Sequence, residues 1–180
     1  EGLSVFNDTV WNTFDKTNSI VTSFNYPTLA VDGNNNKWMV SGLFSGDLIK
    51  YNDTVWTKYT IPNFIVGSDD IYSIAVDAQN AIWLGTNKSG LHKFDGVTWT
   101  NFTSANSSIP FEYNIWHVYT DANDVWICYN GAARYDGTNW TWYHTSNSGI
   151  SGSSVTAVAE EGNVLWFGTN DGLEKFDGTN

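Results

Sequence analysis

Short runs of alternating apolar and polar residues recur along the chain, with Asp, Asn and Gly gathered between them. Alternation with a period of two predicts β-strands, and residues two apart on such a run share a face. In Ala81-Ile82-Trp83-Leu84-Gly85-Thr86, Trp83 therefore shares its face with Gly85, as Trp166 does with Gly168. The small residue leaves room for something to pack beside the ring. Cys128 occupies the same slot in its own run, which reads as a buried small filler rather than a nucleophile.

The runs follow one another in an order that repeats. Two tryptophan series interleave: Trp11, Trp56, Trp99, Trp140, and Trp38, Trp83, Trp126, Trp166. Their spacings are 45, 43 and 41 in the first and 45, 43 and 40 in the second. Each unit opens on a small and an apolar residue, as at Gly90-Leu91, and reaches an aromatic three residues later, as at Phe94. A turn pair such as Asp95-Gly96 follows, then the first Trp, and an aromatic three residues beyond it. After a polar loop comes an apolar run ending in an acid, such as Ile74 to Asp77, and then the second Trp. The units cover about 2–46, 47–89, 90–130 and 131–171, with a partial one at 172–180.

Each unit reads as four short strands. Asp-Gly between alternating runs predicts a tight type I′ hairpin, which needs positive φ at both central positions. Four strands every 40 to 45 residues, with aromatics on each hairpin, is the sequence form of a β-propeller blade. The fold class is all-β, with blades of four antiparallel strands. The eight periodic tryptophans are expected to fill the space between blades. Burying one over roughly 200 Å2 contributes up to about 5 kcal/mol. Four units and one orphan strand do not close a ring, so the chain is expected to be a piece of a longer propeller; an oligomeric ring is the alternative.

Composition narrows the function. Lys and Arg number 8 against 19 Asp and Glu, a formal charge of −11. So acidic a surface repels phosphate backbones and anionic headgroups, which argues against a nucleic-acid partner. No apolar stretch approaches the length of a membrane span, so no direct membrane insertion is expected. The single cysteine allows no disulfide within the chain.

Ile71 through Asp77, Ile82 through Thr86, Gly90 through Gly96, and Trp99 together resemble the two-component-regulator propeller repeat. Val158 with Leu165 through Gly178 is a second close match, whereas Tyr129 through Ala133 departs from the pattern. The resemblance implies a seven-bladed type of ring. It also implies an extracytoplasmic setting, either the periplasmic sensor region of a hybrid regulator or a secreted or surface protein of Bacteroidetes-type bacteria. Asp8-Thr9-Val10 and Asp53-Thr54-Val55 look like O-glycosylation sites of those bacteria, a further hint of export.

In such a ring the long loops and the loops after the Trp-x-Gly-Thr strand share one rim. That rim would carry Phe24, Tyr26, Asp70, Tyr72, Tyr113, Asn114 and Trp116, with Asn87, Asn130 and Asn170 from the second loop set. Aromatic faces beside Asp and Asn suit a sugar ring or a peptide, because the ring stacks while amides and carboxylates bond the polar groups. Plugging the channel or packing the loops is the plainer role for any one of them. Asp32, Asn34 and Asn36 have the spacing that opens a calcium loop, without its closing Glu. No other metal site and no cofactor is implied. Of the three histidines, His92 is expected to be exposed with Lys93, and His117 to face the channel.

The reading is a non-catalytic ligand-sensing or binding module for a glycan, a peptide or another protein, with further blades as its neighbours. The alternative is a structural or assembly part of a cell-surface or secreted complex. A third reading is an enzyme like the streptogramin lyases, propellers with a loosely similar repeat that use a His and metal-binding carboxylates.

Overall fold

The computed structural model of the 180-residue chain describes residues 2–6, 8–22, 28–41, 45–162 and 164–177. Every regular element there is a strand, and no helix is long and apolar enough to cross a membrane. A first pair, β1 (Leu3–Phe6) and β2 (Trp11–Phe14), forms a two-stranded sheet. Blade 1 contains β3 (Leu29–Val31), β4 (Lys37–Ser41), β5 (Asp47–Tyr51) and β6 (Trp56–Thr60). Blade 2 contains β7 (Ile71–Val76), β8 (Ile82–Thr86), β9 (Leu91–Phe94) and β10 (Trp99–Phe102). Blade 3 contains β11 (His117–Thr120), β12 (Val125–Tyr129), β13 (Gly131–Tyr135) and β14 (Trp140–Tyr143). Blade 4 contains β15 (Val155–Glu161), β16 (Val164–Thr169) and β17 (Gly172–Phe176).

Each blade is an antiparallel meander in sequence order. It takes its first two strands from one sequence unit and the rest from the next. Neighbouring blades meet along their first strands, β3 beside β7, β7 beside β11 and β11 beside β15, and fan apart outward. Hydrogen bonds tie these inner edges: Ile74 N donates to Thr28 Oγ1 at 3.1 Å, Val118 N to Ser73 Oγ at 3.0 Å, and Thr120 Oγ1 to the Val76 carbonyl at 2.7 Å.

Because blades 1 to 3 have neighbours on both faces, both sets of alternating residues on their second strands are buried. Ile82 and Leu84 join the core shared with blade 1, while Trp83 between them joins the core shared with blade 3. Val125 and Ile127 face blade 2, and Trp126 and Cys128 face blade 4. A Cβ on Gly85 would lie 2.6 Å from the Ile115 carbonyl oxygen, so the room beside Trp83 is taken by the chain entering blade 3. Burial pushes the Cys128 thiol well above its ordinary pKa, in keeping with a filler.

The two tryptophan series differ in depth: Trp56, Trp99 and Trp140 pack against the clusters between neighbouring sheets, as expected, but at their margins. Trp38, Trp83 and Trp126 on second strands are buried, and Trp166 is half-buried. Trp56, Trp99 and Trp140 on fourth strands are half-buried, and Trp11 is 66% exposed. Those outer strands lie where the blades have spread apart. There each ring stacks on the aromatic paired with it across the hairpin, as in Tyr51–Trp56 at 4.2 Å, Phe94–Trp99 at 4.6 Å and Tyr135–Trp140 at 4.9 Å.

The outer hairpins also differ from expectation. Phe94 pairs with Trp99, so the loop has four residues, and only its second residue has positive φ: Gly96 at 97°, Gly137 at 92°, Asp53 at 72°. The first residue shapes the turn with its side chain. Asp95 Oδ1 accepts from Val97 N and Thr98 N, and Asn52 Oδ1 from Thr54 N and Val55 N. A local side-chain acceptor thus does what a second positive φ would have done.

Candidate binding rim

The meander gives each blade two rims. The long loops 61–70, 103–116 and 144–154 and the short loops after β8, β12 and β16 share one; the acidic turns share the other. On the loop rim, backbone bonds draw several expected residues together. Asn87 N donates to the Asp70 carbonyl at 2.9 Å, and Asn114 N to the Asn87 carbonyl at 2.8 Å. Asn114 holds a positive φ of 55°, tolerated by a short polar side chain. Tyr72 and Asp70 are half-buried with interactions of their own, so they serve the loop as much as the surface. Asn170 is used in its loop, accepting from Ser154 N at 2.8 Å. Tyr26 and Phe24 lie outside the described residues.

Trp116 and Tyr113 stand out on this rim, 41% and 55% exposed. Trp116 packs edge-on against Tyr129 at 5.0 Å, Tyr129 meets Phe111 at 6.4 Å, and Phe111 meets Trp142 at 6.5 Å. Trp142 donates its indole N–H to the Asn130 carbonyl at 3.0 Å and meets the His144 ring at a tilt, 4.3 Å away. An aromatic ridge thus crosses blade 3 from its first strand to its last. Phe111, Tyr129 and Trp142 were not among the expected site residues. The signal was the departure at Tyr129–Ala133: Tyr129 replaces the Thr that, in blade 2, turns its hydroxyl onto the Gly90 carbonyl, and Trp142 replaces Asn101.

Two carboxylates brace the loops of this rim, a buried Asp69 beside the loop after β8 and a half-buried Glu112 within the loop that carries Tyr113 and Trp116. Asp69, fully buried, accepts from Lys88 N at 2.7 Å and from the Ser89 hydroxyl. Glu112 accepts from Ser104 N, which holds its carboxyl below the usual range. The Glu112 bond braces the loop of Tyr113 and Trp116, and both rings stay exposed.

On the turn rim, the calcium-like spacing has another use. Asp32 Oδ1 accepts from Asn34 N and Asn36 N, both at 2.9 Å, and Oδ2 accepts from Asn36 Nδ2 and Trp38 Nε1, both at 2.8 Å. Burial would raise this carboxyl, but the bonds from Trp38, Asn36 and Asn34 outweigh it and lower the pKa. Its oxygens are committed to its own turn. The same latch recurs as Asp77 to Trp83 at 2.8 Å and Glu161 to Trp166 at 2.9 Å. Opposite each indole stands a lysine on the third strand: Lys50 at 5.4 Å from the Trp38 ring, Lys93 at 4.8 Å from Trp83, Lys175 at 5.9 Å from Trp166.

His92 is fully buried rather than exposed, since the third strand is covered on both faces. Its ring lies edge-on to Trp99, and burial lowers its pKa to about 4. Lys93 is half-buried over Trp83. His117 pairs with Cys128 across β11 and β12, and burial lowers its pKa too, partly offset by the Val158 backbone. Among the described residues, no three His, Cys, Asp or Glu side chains gather where they could hold a metal.

Residues 66–88, which contain the first two strands of blade 2, match the family described as two component regulator propeller. No match was found among curated proteins. Among solved structures, the chain is similar to the extracellular domain assigned to a hybrid two component system of B. thetaiotaomicron. The TM-score is 0.68 at 21% identity, covering 93% of this chain and 23% of that one. It is similar to PorZ, a surface component of the type-IX secretion system of Porphyromonas gingivalis, with TM-score 0.69 at 16% identity over 93% and 28%. It also resembles virginiamycin B lyase from Staphylococcus aureus, with TM-score 0.58 at 17% identity over 84% and 55%. The chain thus spans about a quarter of the first two relatives and about half of the third. At these identities the likeness establishes the fold. The chain is a run of β-propeller blades, with residues 66–88 similar to the two component regulator propeller family.

Proposed function

We propose that the chain is an extracytoplasmic recognition module that binds a glycan or peptide through the aromatic ridge of blade 3. The observation that carries this is the exposure of Trp116 and Tyr113 on a loop braced by the Ser104–Glu112 bond. A protein does not gain stability by leaving large rings in water, and rings held rigidly at a rim offer contact area at low entropic cost. The extracellular and surface settings of two structural relatives support the location. Trp116→Ala and Tyr113→Ala are expected to weaken binding of any hit from a glycan and peptide panel about tenfold, with the melting temperature unchanged. A silent panel, or a Trp116→Ala protein that binds as the parent does, would sink the assignment.

The second reading, a rigid assembly part of a surface complex, draws on the likeness to PorZ. It predicts a protein partner held through the same ridge and no response to free glycans. A lyase-type activity would route through His117, and His117→Ala leaving every detectable activity intact would remove that reading.

A further inference from the structure

The indole latch on the turn rim is broken in one blade. In blades 1 and 2 the acid lies six residues before the Trp, at Asp32 for Trp38 and Asp77 for Trp83. In blades 3 and 4 the turn is one residue shorter, with Asp121 before Trp126 and Glu161 before Trp166. Blade 4 recovers the bond because Glu is one methylene longer, and its Oε2 reaches Trp166 Nε1 at 2.9 Å. Blade 3 keeps Asp. Asp121 spends Oδ1 on Asn123 N and Asp124 N, and Trp126 Nε1, in a residue 2% exposed, has no hydrogen-bond partner.

The cation opposite it is also altered. Arg134 stands where the other blades have Lys, and its Nε pairs with Asp124 Oδ2 at 2.8 Å, which raises its pKa. One buried N–H group, Trp126 Nε1, therefore lacks an acceptor, a costly state in the absence of an occupant. With Arg134 it lines a single open crevice between blades 3 and 4, of about 290 Å3, bordered by Asp121, Asp124, Glu160 and Phe176. Trp140 Nε1 likewise lacks a partner, but that residue is only half-buried and borders a different groove of hydroxyls and amides.

We propose that this crevice is a binding site for a neutral sugar unit, separate from the loop rim. An anion would satisfy Trp126 but would face Asp121, Asp124 and Glu160. A cation would suit those carboxylates and leave the Trp126 N–H unmet. Hydroxyl groups accept from the indole and guanidinium and donate to the carboxylates, while the Phe176 ring offers an apolar wall for a sugar face. The volume is at the small end for ligand pockets, about 300 Å3, which fits one ring rather than a chain.

The test is a titration of the protein with glucose, galactose, mannose and N-acetylglucosamine, read on the indole N–H signals in a 1H–15N NMR spectrum. The Trp126 signal is expected to move saturably with at least one of them, with those of Trp38, Trp83 and Trp166 unmoved. Asp121→Glu, which copies the blade 4 latch, is expected to weaken that response about tenfold while the protein stays folded. Glu160→Ala, on an exposed residue, should weaken it about fivefold. A Trp126 signal that stays fixed with all four sugars, one that moves in step with the other indoles, or an Asp121→Glu protein that responds like the parent would each overturn the proposal. The first of these would leave the loop-rim reading standing, since Trp116 is probed by its own variants.

Discussion

His92 is where a single side chain sets a pH limit on the fold. In the folded protein it stays neutral down to about pH 4, whereas the ordinary value is 6.5. Between those values the unfolded chain binds the extra proton, so stability falls as the pH drops from about 6.5 to 4 and levels off below. The loss is on the order of 3 kcal/mol. Urea unfolding across that range should show the slope, and His92→Ile, which copies Ile49 of blade 1, should flatten it. Sequence reading placed His92 on an exposed strand because Lys93 beside it suggests water. It could not show that both faces of the third strand are covered, nor that Lys93 lies along an indole. The exposed rings of Trp116 and Tyr113 were legible because they break the aromatic period, whereas Tyr129 and Trp142 look like ordinary strand residues until the structure brings them into one ridge.

At the scale of the element, the acidic turn and the Trp strand act as one piece. Asp77 takes Gln79 N, Ala81 N and Trp83 Nε1, so Asp77→Ala removes three bonds and strands a buried indole. The expected cost is about 2–3 kcal/mol. Asp121→Ala removes only turn bonds and should cost about 1 kcal/mol. Chemical denaturation of the two variants measures the difference, and equal losses would show that the indole bond contributes nothing. The strands themselves were plain from alternation and period. The latch was not, because a one-residue change in turn length matters only once the reach of Asp and Glu to the indole is known. The Asp-Gly hairpins were placed correctly but given the wrong turn, since a four-residue loop with a side-chain acceptor and a two-residue loop share the same sequence signal.

For the whole molecule, stability rests on contacts between neighbours, as in other repeat architectures. Gly85→Ala would push a methyl to within 2.6 Å of the Ile115 carbonyl oxygen and 2.8 Å of its Cγ2, wedging blades 2 and 3 apart. A loss of about 1–3 kcal/mol is expected. Gly168→Ala meets nothing closer than 3.4 Å and should change the melting temperature little. Thermal unfolding of both variants distinguishes a wedge at one seam from a general intolerance of larger residues.

The offset between sequence unit and blade has a consequence for how such chains can be rearranged. A cut at a unit boundary falls inside a sheet and separates two hydrogen-bonded halves. A cut within residues 103–116 leaves the sheets of blades 2 and 3 whole. Tyr113 and Trp116 ride on that segment. The joint at which blades can be exchanged is therefore also the segment that displays the exposed rings Tyr113 and Trp116, so recombination could swap one rim surface for another while every sheet is inherited intact.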